Sequence, residues 1–131
     1  MERYPNVTLK LIIKSDNGVL LLRRKDSVYE FPGGRMRFLE TIEEALAREI
    51  KEELGIALSA SPRLFHVWNF ISKNKRRHSV MIYFICNAKK EDQYSVPKNM
   101  QAVWVKSRKM RTIVSDNDFV DSMFRWKNER R

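Results

Sequence analysis

The segment from Gly34 to Ile56, GRMRFLETIEEALAREIKEELGI, constrains this chain more than any other part of it. Thr41 followed three residues later by Glu44 makes a capping box, and Gly55 supplies a left-handed stop, so the spacing predicts a helix over Ile42–Leu54. Its apolar stripe comprises Ile42, Ala45, Leu46, Ile50 and Leu54. The arc of that stripe at 100° per residue runs into the arc holding Glu49 and Glu53, which stack as an i, i+4 pair with Glu52 beside them. Like charges at this spacing cost a helix roughly 0.2–0.5 kcal/mol in water, and more when partly desolvated. A divalent cation reverses that cost. Oxygen donors with few protein ligands and open water positions suit Mg²⁺ shared with substrate phosphates, with Mn²⁺ as an alternative. The competing reading is a solvated acidic helix laced by pairs such as Glu44 with Arg48 and Arg48 with Glu52.

The pattern around those acids decides between the two. Gly34, Glu40, Arg48, Glu49, Ile50, Glu52, Glu53, Gly55 and Ile56 fall at the intervals G-x5-E-x7-R-E-U-x-E-E-x-G-U, where U is a bulky aliphatic residue. This segment resembles the box of the Nudix (MutT-like) hydrolases at every fixed position. Seven such matches at ordinary residue frequencies have a chance probability on the order of 10⁻⁸ to 10⁻⁹ per start position. The preceding Tyr29-Glu30-Phe31-Pro32-Gly33 is similar to the family's lead-in, so the close resemblance covers residues 29–56.

The resemblance implies an α/β/α sandwich with a mixed sheet and a loop-helix-loop box. It also implies Mg²⁺-dependent hydrolysis of a nucleoside diphosphate linked to another group. Carried over by position, Glu49, Glu52 and Glu53 become metal-binding acids, the carbonyl of Gly33 a further ligand, and Arg48 the residue that orients the acids. Glu53 or Glu52 is the expected general base. Glu40 is expected to be structural, and Gly34 and Gly55 are expected to be glycines for backbone reasons. Arg24, at the end of the second strand, matches a position that often carries a phosphate-binding arginine, while Arg23 points to the opposite face. Phe31, Trp68, Phe70, Tyr83 and Trp104 are candidates to stack on a base, Phe31 foremost, although strand-borne aromatics usually pack a sheet. Glu91, Asp92, Asp116 and Asp118 are possible downstream acids, each more simply a loop or cap residue. His66 and His78 lack metal-ligand spacing.

With 131 residues and no linker or repeat, the chain reads as one compact domain over 1–131. Strands are expected at Val7–Ile13, Val19–Arg24, Arg63–Ser72, His78–Asn87 and Gln101–Lys106, with turns at 16–18 and 73–77 and a last helix over Asp116–Trp126. The opening residues lack the apolar run of a signal peptide or membrane helix, and the lone Cys86 forms no intramolecular disulfide and marks no zinc cluster; both suggest a cytoplasmic protein. Cys86 itself reads as a core residue.

Charge adds a second signal. Residues 40–53 hold six of the 16 acids against Arg48 and Lys51, a local balance of −4, so the remainder carries +14 to bring the total to +10. An acidic site inside a basic protein draws polyanionic substrates. Basic clusters occur at Lys73, Lys75, Arg76, Arg77 and His78, at Arg108, Lys109 and Arg111, and at Arg125, Lys127, Arg130 and Arg131. Arg35 and Arg37 add charge beside the box, which favours a highly charged substrate or pairs with nearby acids. The sequence thus points to a soluble nucleotide or nucleotide-sugar as partner, with RNA 5′-end hydrolysis and a non-catalytic binding domain as rivals. A homodimer is the family's common habit.

Overall fold

The computed structural model describes residues 3–58 and 62–127. Ten elements follow the chain: β1 (Asn6–Ser15), β2 (Gly18–Arg24), β3 (Tyr29–Glu30), β4 (Gly33–Arg35), α1 (Ile42–Leu54), β5 (Arg63–Ile71), β6 (His78–Asn87), β7 (Met100–Val105), α2 (Ser107–Ile113) and α3 (Asn117–Arg125). The strands join one mixed sheet in the order β3-β2-β1-β6-β5, with β4 on β1 and β7 on β2. Its central pair, β1 with β6, is parallel from Asn6↔Ser79 to Lys14↔Asn87, and the other pairs are antiparallel.

Strand periodicity builds the two layers around this sheet. Leu9, Leu11 and Ile13 of β1, with Leu20 and Leu22 of β2, face Ala45, Leu46, Ile50 and Leu54 of α1. The alternate residues Ile12, Val19 and Leu21 face the opposite way and pack with Met110 of α2 and Val120 and Met123 of α3. Both faces are therefore covered, which explains the nearly unbroken apolar runs LIIK and GVLLL. The result is the expected helix-sheet-helix arrangement.

The box helix has the predicted bounds. Thr41 Oγ1 accepts from the Glu44 amide at 3.1 Å, and the Thr41 amide donates to Glu44 Oε1 at 2.9 Å. Gly55, at φ 69°, closes the other end by donating to the Lys51 carbonyl. One stripe residue departs from expectation: Ile42, the first residue of α1, is exposed. Three elements lie outside the expected set: β3, β4 and α2. Arg130 and Arg131, expected to extend the last basic cluster, lie outside the described residues. Among the described residues no helix is long and apolar enough to cross a membrane.

Candidate active site

The site forms where the strand β4 and the helix α1 approach each other. Gly33 pairs with Lys10 of β1, and Gly34 with Leu9, so the two glycines are held flat against the central strand. Gly33 sits at φ 138°, a region that strongly favours glycine. Its amide donates to Glu53 Oε1 at 2.7 Å, which fixes one carboxylate oxygen and leaves the other directed away from that bond. Burial pushes the Glu53 carboxyl above its ordinary pKa; the Gly33 amide and Lys10 pull it back, while Glu49 and Glu30 add to the rise. Glu53 thus holds a proton more readily than a surface glutamate.

Arg48 organises the other acids. Its Nε donates to Glu40 Oε2 at 2.7 Å, Nη2 to Glu40 Oε1 at 2.9 Å, and Nη1 to Glu49 Oε1 at 2.7 Å. A further bond from Nη2 to the Arg35 carbonyl at 3.0 Å ties the helix to β4. Glu40, which also accepts from the Arg37 amide, has its pKa lowered to about 2, chiefly by the Arg48 hydrogen bonds. It is the structural anchor that the sequence suggested. Glu52 lies more exposed, 3.6 Å from Arg48.

Gly34 departs from the backbone reading. It is absent from the positive-φ residues, and a Cβ placed there meets the Glu49 carboxylate at 2.5 Å. The glycine is required by the space that Glu49 occupies. Gly55, by contrast, is the left-handed cap expected of it.

The donor set suits a hard divalent cation. It offers carboxylate oxygens from one helix face, a strand carbonyl beside them, a partly desolvated Glu53 and a glycine that makes room for Glu49. Among the described residues no three acids or histidines converge at ligating distance as the side chains stand. Glu49 is drawn towards Arg48 and Glu53 towards the Gly33 amide.

On the face of the sheet that carries Lys10, the partner of Gly33, a cleft of about 330 Å³ opens. Its floor is built from cross-strand rows: Asn6, Ser79 and Phe70 in one, Thr8, Met81 and Trp68 in the next. Lys10 lies in the row nearest Gly33 and donates to the Phe31 carbonyl at 3.1 Å. These residues share a face with Ile12 and Tyr83, the face that α2 and α3 cover only at its other end. Arg35 and Arg77 form basic walls.

The substrate-binding expectations need correction. Phe31 is 9 % exposed and packs edge-on against Tyr83, with ring centroids 5.6 Å apart, and against Phe119 at 6.4 Å. It is a core aromatic whose face is unavailable to a base. Tyr83 belongs to the same cluster, and Trp104 packs against Tyr94. Trp68 and Phe70, 45 % and 38 % exposed, are the aromatics that reach the cleft. Arg24 is engaged by Asp26 at 2.7 Å and Glu30 at 3.1 Å, so its guanidinium is already balanced by two carboxylates. Arg23 is exposed, as expected.

Of the downstream acids, Asp116 caps α3 by accepting from the Phe119 amide, and Asp92 accepts from the Lys89 amide in its turn. Glu91 is exposed and Asp118 sits in the first turn of α3. His66 stacks near Tyr83 and Phe119, and Cys86 packs against the α1-side core. Lys10 and Thr8 went unnoticed in the sequence. The signal was present: a lysine interrupts the apolar run of a central strand in LKLII, where a charge needs a polar outlet.

A NUDIX domain model matches residues 4–126. The chain belongs to the NUDIX domain family. It is 29 % identical over 130 residues to the ADP-ribose pyrophosphatase of Methanocaldococcus jannaschii, covering 95 % of this chain and 76 % of that protein. A shorter match, 41 % identical over 54 residues, is to the RNA pyrophosphohydrolase of Acinetobacter baylyi and covers 40 % of this chain and 31 % of that one. The MutT NUDIX hydrolase from Burkholderia pseudomallei superposes with a TM-score of 0.70 at 30 % identity, over 82 % of this chain and 87 % of that structure. The Nudix chain described here is therefore a hydrolase of the pyrophosphate-cleaving family, whose members use divalent metal ions.

Proposed function

We propose that this Nudix hydrolase cleaves a nucleoside diphosphate linked to another group, a nucleotide or nucleotide-sugar type of substrate, with Mg²⁺ as the preferred ion and Mn²⁺ as a substitute. The observation that carries this reading is Glu53, partly buried, held by the Gly33 amide at 2.7 Å and close enough to interact with Lys10, which lines a cleft with basic walls. Water attacks one phosphorus in line, and the bridging oxygen leaves with the other phosphate.

Glu49, Glu52, Glu53 and the Gly33 carbonyl hold the cation in this reading. The ion supplies neutralisation of the pyrophosphate oxygens and a more acidic water. Glu53 takes the proton of the attacking water through the oxygen that Gly33 does not hold. Arg48 is a positioning residue, keeping Glu49 from swinging away and fixing α1 to β4 through the Arg35 carbonyl. Lys10 and Arg35 face the substrate phosphates, since among the described residues neither is ion-paired to an acid. Trp68 offers its exposed face to the base.

Product formation should be measured with and without Mg²⁺ across nucleoside triphosphates, ADP-ribose, nucleotide sugars, dinucleoside polyphosphates and 5′-phosphorylated RNA. A substrate turned over only with the metal supports the reading. Silence across the panel from folded, metal-saturated protein would overturn it in favour of a binding domain.

A further inference from the structure

The cleft that Lys10 links to Glu53 does not end at its aromatic floor. It continues into a second cavity of ≈ 510 Å³, and the two share Asn6, Arg35, Arg77 and His78 in their linings. The outer cavity adds Arg3, Lys75 and Arg76. Among the described residues, no acid lines either one. Among the described residues, none of the side chains of Arg3, Arg35, Lys75, Arg76 and Arg77 is ion-paired, whereas Arg24 and Arg111 are each matched by acids. An uncompensated cluster of this kind carries a standing electrostatic cost that a polyanion relieves.

The turn that presents these cations is ordered by its own side chains. Ser72 Oγ donates to Asn74 Oδ1 at 2.6 Å, the Arg76 amide donates to the same oxygen at 3.0 Å, and the Arg77 amide donates to Ser72 Oγ at 3.0 Å. Along β1 the path from Lys10 to Asn6 covers four residues, about 13 Å at the rise of a strand. Its order is catalytic acid, cation, aromatic, then cations again.

We propose that this groove binds the 5′ end of a single-stranded oligonucleotide, with the 5′-pyrophosphate at Glu53, the first base on Trp68 and the next backbone phosphate among Arg3, Arg76 and Arg77. A free nucleotide carries its phosphates on one side of the nucleoside only, and leaves the outer cations unused. A strand places phosphate on both sides. Aromatic stacking combined with a basic track is the sequence-tolerant way to hold such a strand. The inference rests on the hydrolase reading for the location of the pyrophosphate, but its test needs no turnover.

The test uses full-length protein carrying Glu53→Gln, to prevent turnover, with and without Arg3→Gln and Arg76→Gln. Fluorescence anisotropy compares a 5′-triphosphorylated tetranucleotide with the nucleoside triphosphate and with a 3′-phosphorylated nucleoside 5′-diphosphate, over a range of salt. The groove predicts at least tenfold tighter binding of the tetranucleotide than of the triphosphate. It also predicts that the two substitutions remove that preference and lower the slope of log affinity against log salt by about 0.7, the value for one lost single-strand phosphate contact. Equal affinity for tetranucleotide and triphosphate would overturn the proposal, as would a preference untouched by the substitutions. If the 3′-phosphorylated mononucleotide binds as tightly as the tetranucleotide, the strand is refuted and a small 3′-phosphorylated nucleotide takes its place. Tetranucleotide binding without hydrolysis by the wild-type enzyme would sink the hydrolase reading alone.

Discussion

Adjacent glycines in the site are predicted to fail in different ways when given a methyl group. At Gly33 the backbone is at φ 138°, and an added Cβ lands against the Leu9 carbonyl oxygen, within 2.9 Å of Leu9 C and Lys10 Cα. Those atoms belong to the central strand and cannot yield separately. Strain at such a φ costs about 1–3 kcal/mol and overpacking about 1–3 more. The sum, roughly 2–6 kcal/mol, is a large part of the ~5–15 kcal/mol that holds a domain together. At roughly 4 °C per kcal/mol for a chain of this size, Gly33→Ala should melt about 8–24 °C below wild type. At Gly34 the added Cβ meets only the Glu49 carboxylate, 2.5 Å away and at the end of a flexible side chain. Gly34→Ala should therefore melt within about 4 °C of wild type, yet lose most metal-dependent turnover because Glu49 is displaced. Thermal melts followed by circular dichroism, paired with Mg²⁺-dependent turnover, read both effects. A Gly33→Ala protein as stable as wild type would refute the strain argument, and a fully active Gly34→Ala would refute the account of Glu49.

Three further outcomes follow from individual contacts. Arg48→Gln removes the bonds to Glu40 and Glu49 and should weaken activity or apparent Mg²⁺ affinity by about 10–100-fold, read from turnover across a metal titration; unchanged metal dependence would show that Arg48 does not position the acids. Thr41→Ala breaks the capping box and should cost about 1 kcal/mol in denaturant unfolding without altering the metal requirement. Burial pushes the Cys86 thiol up to about 11 from 9.0, so the unfolded chain releases that proton first as pH rises. Stability should hold below about pH 9 and decline between 9 and 11, by at most about 1.4 kcal/mol per pH unit for this one group, with a shallower decline in Cys86→Ala.

What could be read from the sequence was what local chemistry determines. The bounds of α1 follow from Thr41, Glu44 and Gly55, each acting within a turn of the helix, and the expected and observed bounds coincide. Glu40 as an anchor was legible for the same reason, being fixed by the box spacing. β4 was not legible, since Gly33–Arg35 has little strand propensity and is extended only because β1 pairs with it. α2 escaped because SRKMRTI buries a single residue, Met110, and has no side-chain cap at Lys106. The cleft depends on which residues lie side by side across β1, β6 and β5, a matter of register between strands some 70 residues apart. That register places Trp68 beside Met81 in the open cleft and leaves Phe31 to the core.

The central claim is that Glu53, held by Gly33 and flanked by Glu49 and Glu52, performs metal-dependent hydrolysis. Glu53→Gln tests it most directly, because it removes a charge with almost no change of shape. The variant should fold, melt no lower than wild type in the absence of metal, and lose at least about 100-fold in Mg²⁺-dependent turnover of the best substrate. A folded Glu53→Gln enzyme working within a few fold of wild type would contradict the account.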